Sequence, residues 1–119
     1  MEKKDNEIVN LSFDFALNII EYCEVLEEKK KYVIARQLLR SGTSIGANVR
    51  EAQNAESKAD FIHKLKIAAK EAEETEYWLL LCERSKNYPN PIAVTNQIVS
   101  ILKLLNKIIA TLKKGKSTR

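Results

Sequence analysis

Apolar residues recur at helical spacing along almost the whole chain. Over positions 6–27, Ile8, Leu11, Phe15, Ile19, Tyr22 and Leu26 follow an i, i+3/i+4 pattern, the mark of one buried helical face. A second row, Val9, Phe13, Ala16, Leu17 and Ile20, widens that face beyond a single stripe. The charged run Glu27-Glu28-Lys29-Lys30-Lys31 then makes a polar corner. A second helix is expected over 31–54, where Ile34, Leu38, Ile45, Val49 and Ala52 hold register. The stretch from Arg40 to Glu51 contains two glycines and three hydroxyl residues, a composition that reads locally as a breaker. Because the register carries through, one continuous helix is favoured over a break near Ser41. Gly42 and Gly46 share one face of it, so their missing side chains would let another helix come close. Each glycine costs about 1 kcal/mol relative to alanine, which tight packing can offset.

A third helix is expected over 58–85, opened by Ser57-Lys58-Ala59-Asp60, which resembles a capping box with Asp in place of Glu. Phe61, Leu65, Ala68, Ala72, Thr75, Leu79 and Cys82 form its main row, with Ile67, Trp78 and Leu81 in parallel. Tyr88-Pro89 closes the connection, Asn90 caps, and Pro91 occupies the first turn of a fourth helix over 91–114. Lys113 and Lys114 sit at its negative dipole end, Gly115 is the expected stop, and 115–119 reads as a disordered tail. Helices of similar length joined by short connections predict a single all-α domain over 1–119, an up-down-up-down antiparallel four-helix bundle. Only 3 Gly and 2 Pro in 119 residues agree with this, since loop-rich folds need more of both.

The fourth helix is apolar over far more than one stripe: Ile92, Val94, Ile98, Val99, Ile101, Leu102, Leu104, Leu105, Ile108, Ile109 and Leu112. One bundle interior is not expected to absorb that breadth, so self-association is the economical reading and a deeply buried helix in a monomer the alternative. Lys103 and Lys107 interrupt the run, so no membrane span is expected. The N-terminus lacks a signal-peptide pattern. Cys23 and Cys82 lie within helical apolar rows, which reads as buried cytosolic thiols rather than a disulfide or metal site. A cytoplasmic protein is expected.

Charge is unevenly spread. The net charge of +4 combines −4 over residues 1–30, zero over 31–83 and +8 over 84–119, where no acid occurs. This asymmetry points to a polyanion or to acidic–basic matching between neighbouring chains.

Three runs then make the chain familiar: Gln37-x-x-Arg40-Ser41-x-x-Ser44-Ile45-x-x-Asn48-x-x-Glu51-Ala52, Ser57-Lys58-x-Asp60-Phe61, and Ala68-x-Lys70-Glu71-Ala72-x-Glu74-Thr75-x-Tyr77-Trp78-Leu79. Together they resemble a bacterial family of four-helix-bundle proteins encoded in 23S rRNA intervening sequences, also called S23 ribosomal proteins. The accessory variability proteins of diversity-generating retroelements are relatives. The resemblance covers nearly the whole chain and implies a homopentameric barrel of bundles. In the retroelement branch it implies a basic surface that engages nucleic acid and a reverse transcriptase, as in a ribonucleoprotein.

The polar row Gln37, Ser41, Ser44, Asn48 and Glu51 has spacings of 4, 3, 4 and 3, hence one stripe beside the apolar face. With Lys64, Glu71 and Glu74 on the third helix it predicts an interhelical hydrogen-bond network, Asn48 and Glu51 reaching across. Acid–base or di-metal chemistry is the competing use of such carboxylates. The di-metal bundle pattern needs Glu-x-x-His on two helices, and the chain has one histidine, His63, expected at the surface or an interface. No metal or cofactor is expected. Ser41 and Ser44 lack a base, and Gly42-Thr43-Ser44-Ile45-Gly46 lacks the lysine of a P-loop, so no enzyme is expected. Arg36, Arg40 and Arg50, with Thr43 and Ala47, mark a second stripe that fits phosphate contact or salt bridges to acids on the first helix or a neighbour. Lys103, Lys107, Lys113 and Lys114 are the other cationic candidates, for nucleic acid, a solvated face or a membrane surface. No aromatic platform interleaves them, so backbone-directed binding fits better than base stacking. Tyr77 and Trp78 read as packing anchors. The expectation is a homo-oligomeric adaptor associated with RNA or DNA; the competing reading is a protein-interaction scaffold without nucleic acid.

Overall fold

In the computed structural model the described residues, 7–117, form four α-helices and no strand. They are α1 Glu7–Glu28, α2 Tyr32–Ala52, α3 Lys58–Arg84 and α4 Ile92–Ser117. Residue 6, expected to open the first helix, and residues 118–119 of the expected tail lie outside the described residues.

The connections form as the local chemistry dictates. Lys30 takes φ 64° and Lys31 N–H donates 2.8 Å to Leu26 O, which turns the chain at the end of α1. Ser57 Oγ accepts from Asp60 N at 3.0 Å, and the Asp60 carboxylate accepts from Glu56 N at 3.3 Å. Asp therefore performs the reciprocal half of the cap, one residue farther back than Glu would. Asn90 Oδ1 accepts from Ile92 N at 3.0 Å, and Thr95 N donates 2.8 Å to Pro91 O, so α4 opens where the Asn-Pro pair places it. α2 runs unbroken past Ser41. The expected stop at Gly115 does not form: that glycine has no positive φ, and α4 continues to Ser117.

The helices share one core. Phe15, Ile19 and Leu26 of α1, Leu38, Ile45 and Val49 of α2, Leu65 and Leu79 of α3, and Ile98, Ile101 and Leu105 of α4 are almost fully buried. α1 packs on α2 and α4, and α3 packs on α2 and α4. The glycines set the α1–α2 spacing. A Cβ on Gly42 would stand 2.9 Å from Ile19 Cγ2, and one on Gly46 would stand 3.3 Å from the backbone oxygen of Ser12. The apolar breadth of α4 is only partly absorbed within the chain, with 22% of its most apolar stretch buried. Val94, Ile98, Ile101 and Leu105 are buried, while Val99, Leu102, Leu104, Ile108, Ile109 and Leu112 pack half-buried against the core. α4 packs on α1 and α3, and Ile92 is exposed. By length and composition α4 is also apolar enough to cross a membrane, with mean hydropathy 1.4 in its richest window, despite its lysines.

Both cysteines are free and buried near the end of α1. Cys23 Sγ donates to Ala35 O at 3.4 Å, and Tyr22 Oη donates to Pro89 O at 2.7 Å. Burial first, then the nearby Cys82 and Glu27, pushes the Cys23 thiol up to about 12. Burial likewise raises Cys82 and Tyr22.

Two outcomes follow. Gly42→Ala should destabilise by a net of about 1–2 kcal/mol, because overpacking against Ile19 outweighs the gain in helix propensity; the urea midpoint measures it, and a more stable variant would show that Ile19 gives way freely. The thiols and Tyr22 hold their protons more tightly folded than unfolded, so their contribution is intact below the unfolded thiol value and lost above it. The urea midpoint should stay flat between about pH 6 and 8 and fall above about pH 9 as unfolded thiols ionise.

Candidate nucleic-acid interface

The seam between α2 and α3 carries the polar row, and only part of it crosses. Ser41 and Thr75 are fully buried, and their hydroxyls are hydrogen-bonded at 2.9 Å. Thr75 also donates to Glu71 O at 2.8 Å, so the pair leaves no unmet polar group in the core. Glu51 pairs with Lys64 at 3.0 Å, as the spacing predicts. Asn48 does not reach α3: its amide donates 2.9 Å to Ser44 O one turn back. Ser44 Oγ likewise donates to Arg40 O at 2.6 Å, because a short side chain at this distance from α3 finds its own carbonyl first. Gln37 is half-buried on the same stripe.

The arginine stripe divides into three environments. Arg40 pairs with Glu71 at 3.4 Å and with Glu74, whose carboxylate also accepts from Trp78 Nε1 at 2.9 Å. Those acids lie on α3, not on the first helix. Arg40 is thus paired with two carboxylates while its side chain stays half-exposed. Arg50 lies over the Phe13 ring, 5.8 Å from its centroid. Arg36 is exposed one end of α2 away.

On α4, Lys103 and Lys107 are exposed along a shallow groove of about 320 Å³ shared with α1, lined also by Glu7, Leu11, Ser100 and Leu104. Lys113 and Lys114 are exposed nearer its C-terminal end. Lys113 comes up against Lys66 of α3. Lys66 is held below the usual lysine value by a hydrogen bond with the Lys113 amine and by repulsion from its charge. Lys66 joins the exposed lysines around α4 although its α3 position gave no sequence cue. His63 is exposed, and among the described residues no His, Cys, Asp and Glu cluster could hold a metal ion.

Exposed large apolar side chains also lie off α4, where the sequence did not place them. Phe13, Leu17 and Ile20 of α1 are exposed, as are Leu39 of α2 and Tyr77, Leu80 and Leu81 of α3. Phe13, Val9 and Ala16 line a pocket with Thr43, Gly46, Ala47 and Arg50, so the second apolar row of α1 borders α2 on the outside of the molecule. Tyr77 is 56% exposed, against its reading as a packing anchor, while Trp78 is half-buried.

A family model described as 23S rRNA-intervening sequence protein matches residues 4–114. Among solved structures, the chain is similar to a protein with unknown function from the S23 ribosomal protein family of Bacteroides thetaiotaomicron. The two share 48% sequence identity at TM-score 0.80, over 86% of this chain and 97% of that one. No curated protein matches. The four-helix fold, the match along nearly the full sequence and the structural neighbour agree: this chain belongs to the family of 23S rRNA-intervening sequence proteins.

Proposed function

We propose that the chain is a non-enzymatic, homo-oligomeric helical adaptor that associates with RNA or DNA. The observation that carries the reading is the lysine surface around α4. Lys103, Lys107 and Lys113 are exposed, and Lys113 stands against Lys66 with no acidic residue anywhere over 84–119. A phosphate placed between neighbouring ammonium groups relieves their mutual repulsion. Contacts of this kind read the backbone and carry no base preference.

The subunit in this reading is an up-down-up-down bundle in the cytoplasm, and the functional unit is a homopentamer. Support for self-association comes from the exposed large apolar side chains Phe13, Leu17 and Ile20 of α1 and Leu39 of α2. A ring multiplies weak phosphate contacts by raising effective concentration. A ribonucleoprotein, including one with a reverse transcriptase, is the setting such an adaptor fits. The same apolar surface favours the second reading, a scaffold that binds proteins only.

Nucleic-acid retention should be measurable in about 50 mM salt and fall steeply as salt rises. The triple variant K103Q/K107Q/K113Q should reduce the log–log salt slope by about 2–3, whereas Arg40→Gln should leave it nearly unchanged because Arg40 is already paired. Absence of retention at low salt would remove nucleic acid from the proposal and leave the scaffold. Leu17→Glu should lower the mass seen by light scattering while helicity is retained; a wild-type monomer at micromolar concentration would end the oligomer argument.

A further inference from the structure

Two exposed rows of side chains, one on α1 and one on α3, run in matching order. On α1, Phe13, Leu17 and Ile20 are exposed along one face, and the exposed Glu24 lies one turn farther on. Arg50 of α2 lies over the Phe13 ring, so this row begins with a cation and ends with an acid. On α3, Glu73, Tyr77, Leu80, Leu81 and Arg84 are exposed along one face, so that row begins with an acid and ends with a cation. The rows cover equal lengths of helix, 13–24 and 73–84, or about 16 Å at 1.5 Å per residue.

None of the four charges meets an opposite charge among the described residues. The ion pairs there engage Arg40, Glu71, Glu74, Lys64 and Glu51, and leave out Arg50, Glu24, Glu73 and Arg84. One chain cannot bring its own two rows together, because α1 and α3 do not pack on each other: α2 and α4 stand between them. What one row offers the other has to come from a second copy.

We propose that the α1 row of one copy docks on the α3 row of the next, a heterologous, head-to-tail interface. The inference rests on the self-association proposed above and names the surfaces that carry it. With the two helices side by side and parallel, Arg50 meets Glu73, Phe13 and Leu17 meet Tyr77 and Leu80, and Glu24 meets Arg84. The apolar middle provides burial, and the charges at the ends fix direction. Reversing α1 on α3 would set Arg50 against Arg84 and Glu24 against Glu73. Either row could instead pair antiparallel with a copy of itself. Used on one face, that arrangement leaves the other face bare; used on both, it builds an open chain. A head-to-tail contact covers both faces with one kind of interface and closes into a ring where the rotation allows.

The test uses two variants that each disable one row. Leu17→Glu and Leu80→Glu set a carboxylate in the middle of the α1 and α3 rows; both positions are exposed, and circular dichroism should show full helicity. Light scattering should find each variant alone at the mass of one chain, 13.6 kDa. Mixed in equal amounts at about 300 μM, because a lone contact lacks the reinforcement of a closed ring, they should form a species of twice that mass and nothing larger. Only one intact α1 row and one intact α3 row remain in the mixture. Charge order is tested separately: Arg50→Glu and Glu73→Arg should each raise the concentration needed for assembly about three- to tenfold, and R50E/E73R should recover most of the loss. A wild-type monomer would remove self-association and this interface together. A wild-type oligomer whose mass survives Leu80→Glu, a mixture that stays at the mass of one chain, or no recovery in R50E/E73R would overturn the α1–α3 pairing and leave the oligomer standing. Dimers of Leu80→Glu alone would assign the α1 row to a two-fold contact, which also overturns it.

Discussion

The closeness of α1 and α2 governs the rest of the architecture. At Gly42 and Gly46 the α2 backbone comes so near α1 that a methyl group would touch Ile19 or the Ser12 carbonyl. Two positions with low helix propensity are retained inside an unbroken helix because the contact they permit is worth more than the propensity they forgo. That contact fixes which side of each helix faces inward. With Ile19 seated on Gly42, the Phe15–Ile19–Leu26 row enters the core, and the neighbouring Phe13–Leu17–Ile20 row is left on the outer surface. Both the core and the uncovered apolar strip thus descend from one close approach.

Electrostatics partition along the same frame. The α2–α3 seam consumes its charges locally: Arg40 with Glu71 and Glu74, and Lys64 with Glu51. These exposed pairs contribute little individually, on the order of 0–1 kcal/mol each, and their larger effect is to hold register between the two helices. α4 carries no acidic side chain, so its lysines are not offset along their own helix.

Much of this architecture is legible in the amino-acid sequence. Ser57, Asn90 and Pro91 announce helix starts because caps and proline act through local backbone geometry. Register through Gly42 and Gly46 correctly keeps α2 whole. Gly115 misleads, since glycine permits a stop without imposing one. The apolar breadth of α4 is visible, and α1 and α3 bury only part of it. Periodicity identifies a face and not its neighbours, and so hides the fate of Arg36, Arg40 and Arg50: one stripe in sequence, yet only Arg40 has two carboxylates opposite it on α3. Lys66 gives no sequence signal at all, because a nearby Lys113 is a property of helices brought together.

The α1–α4 contact joins the parts of the chain farthest apart in sequence, as in the hydrogen bond of Asn18 to Gln97 at 3.0 Å. α1 meets α2, and α2 meets α3, through much shorter separations, and the side that α4 fills is open until it arrives. During synthesis from the N-terminus, that three-helix assembly leaves the ribosome first with an apolar trough exposed. α4 then closes the trough and brings the cationic surface with it in the same step. A chain still being made carries a net −4 over residues 1–83, and gains the +8 of residues 84–119 only as its core is completed.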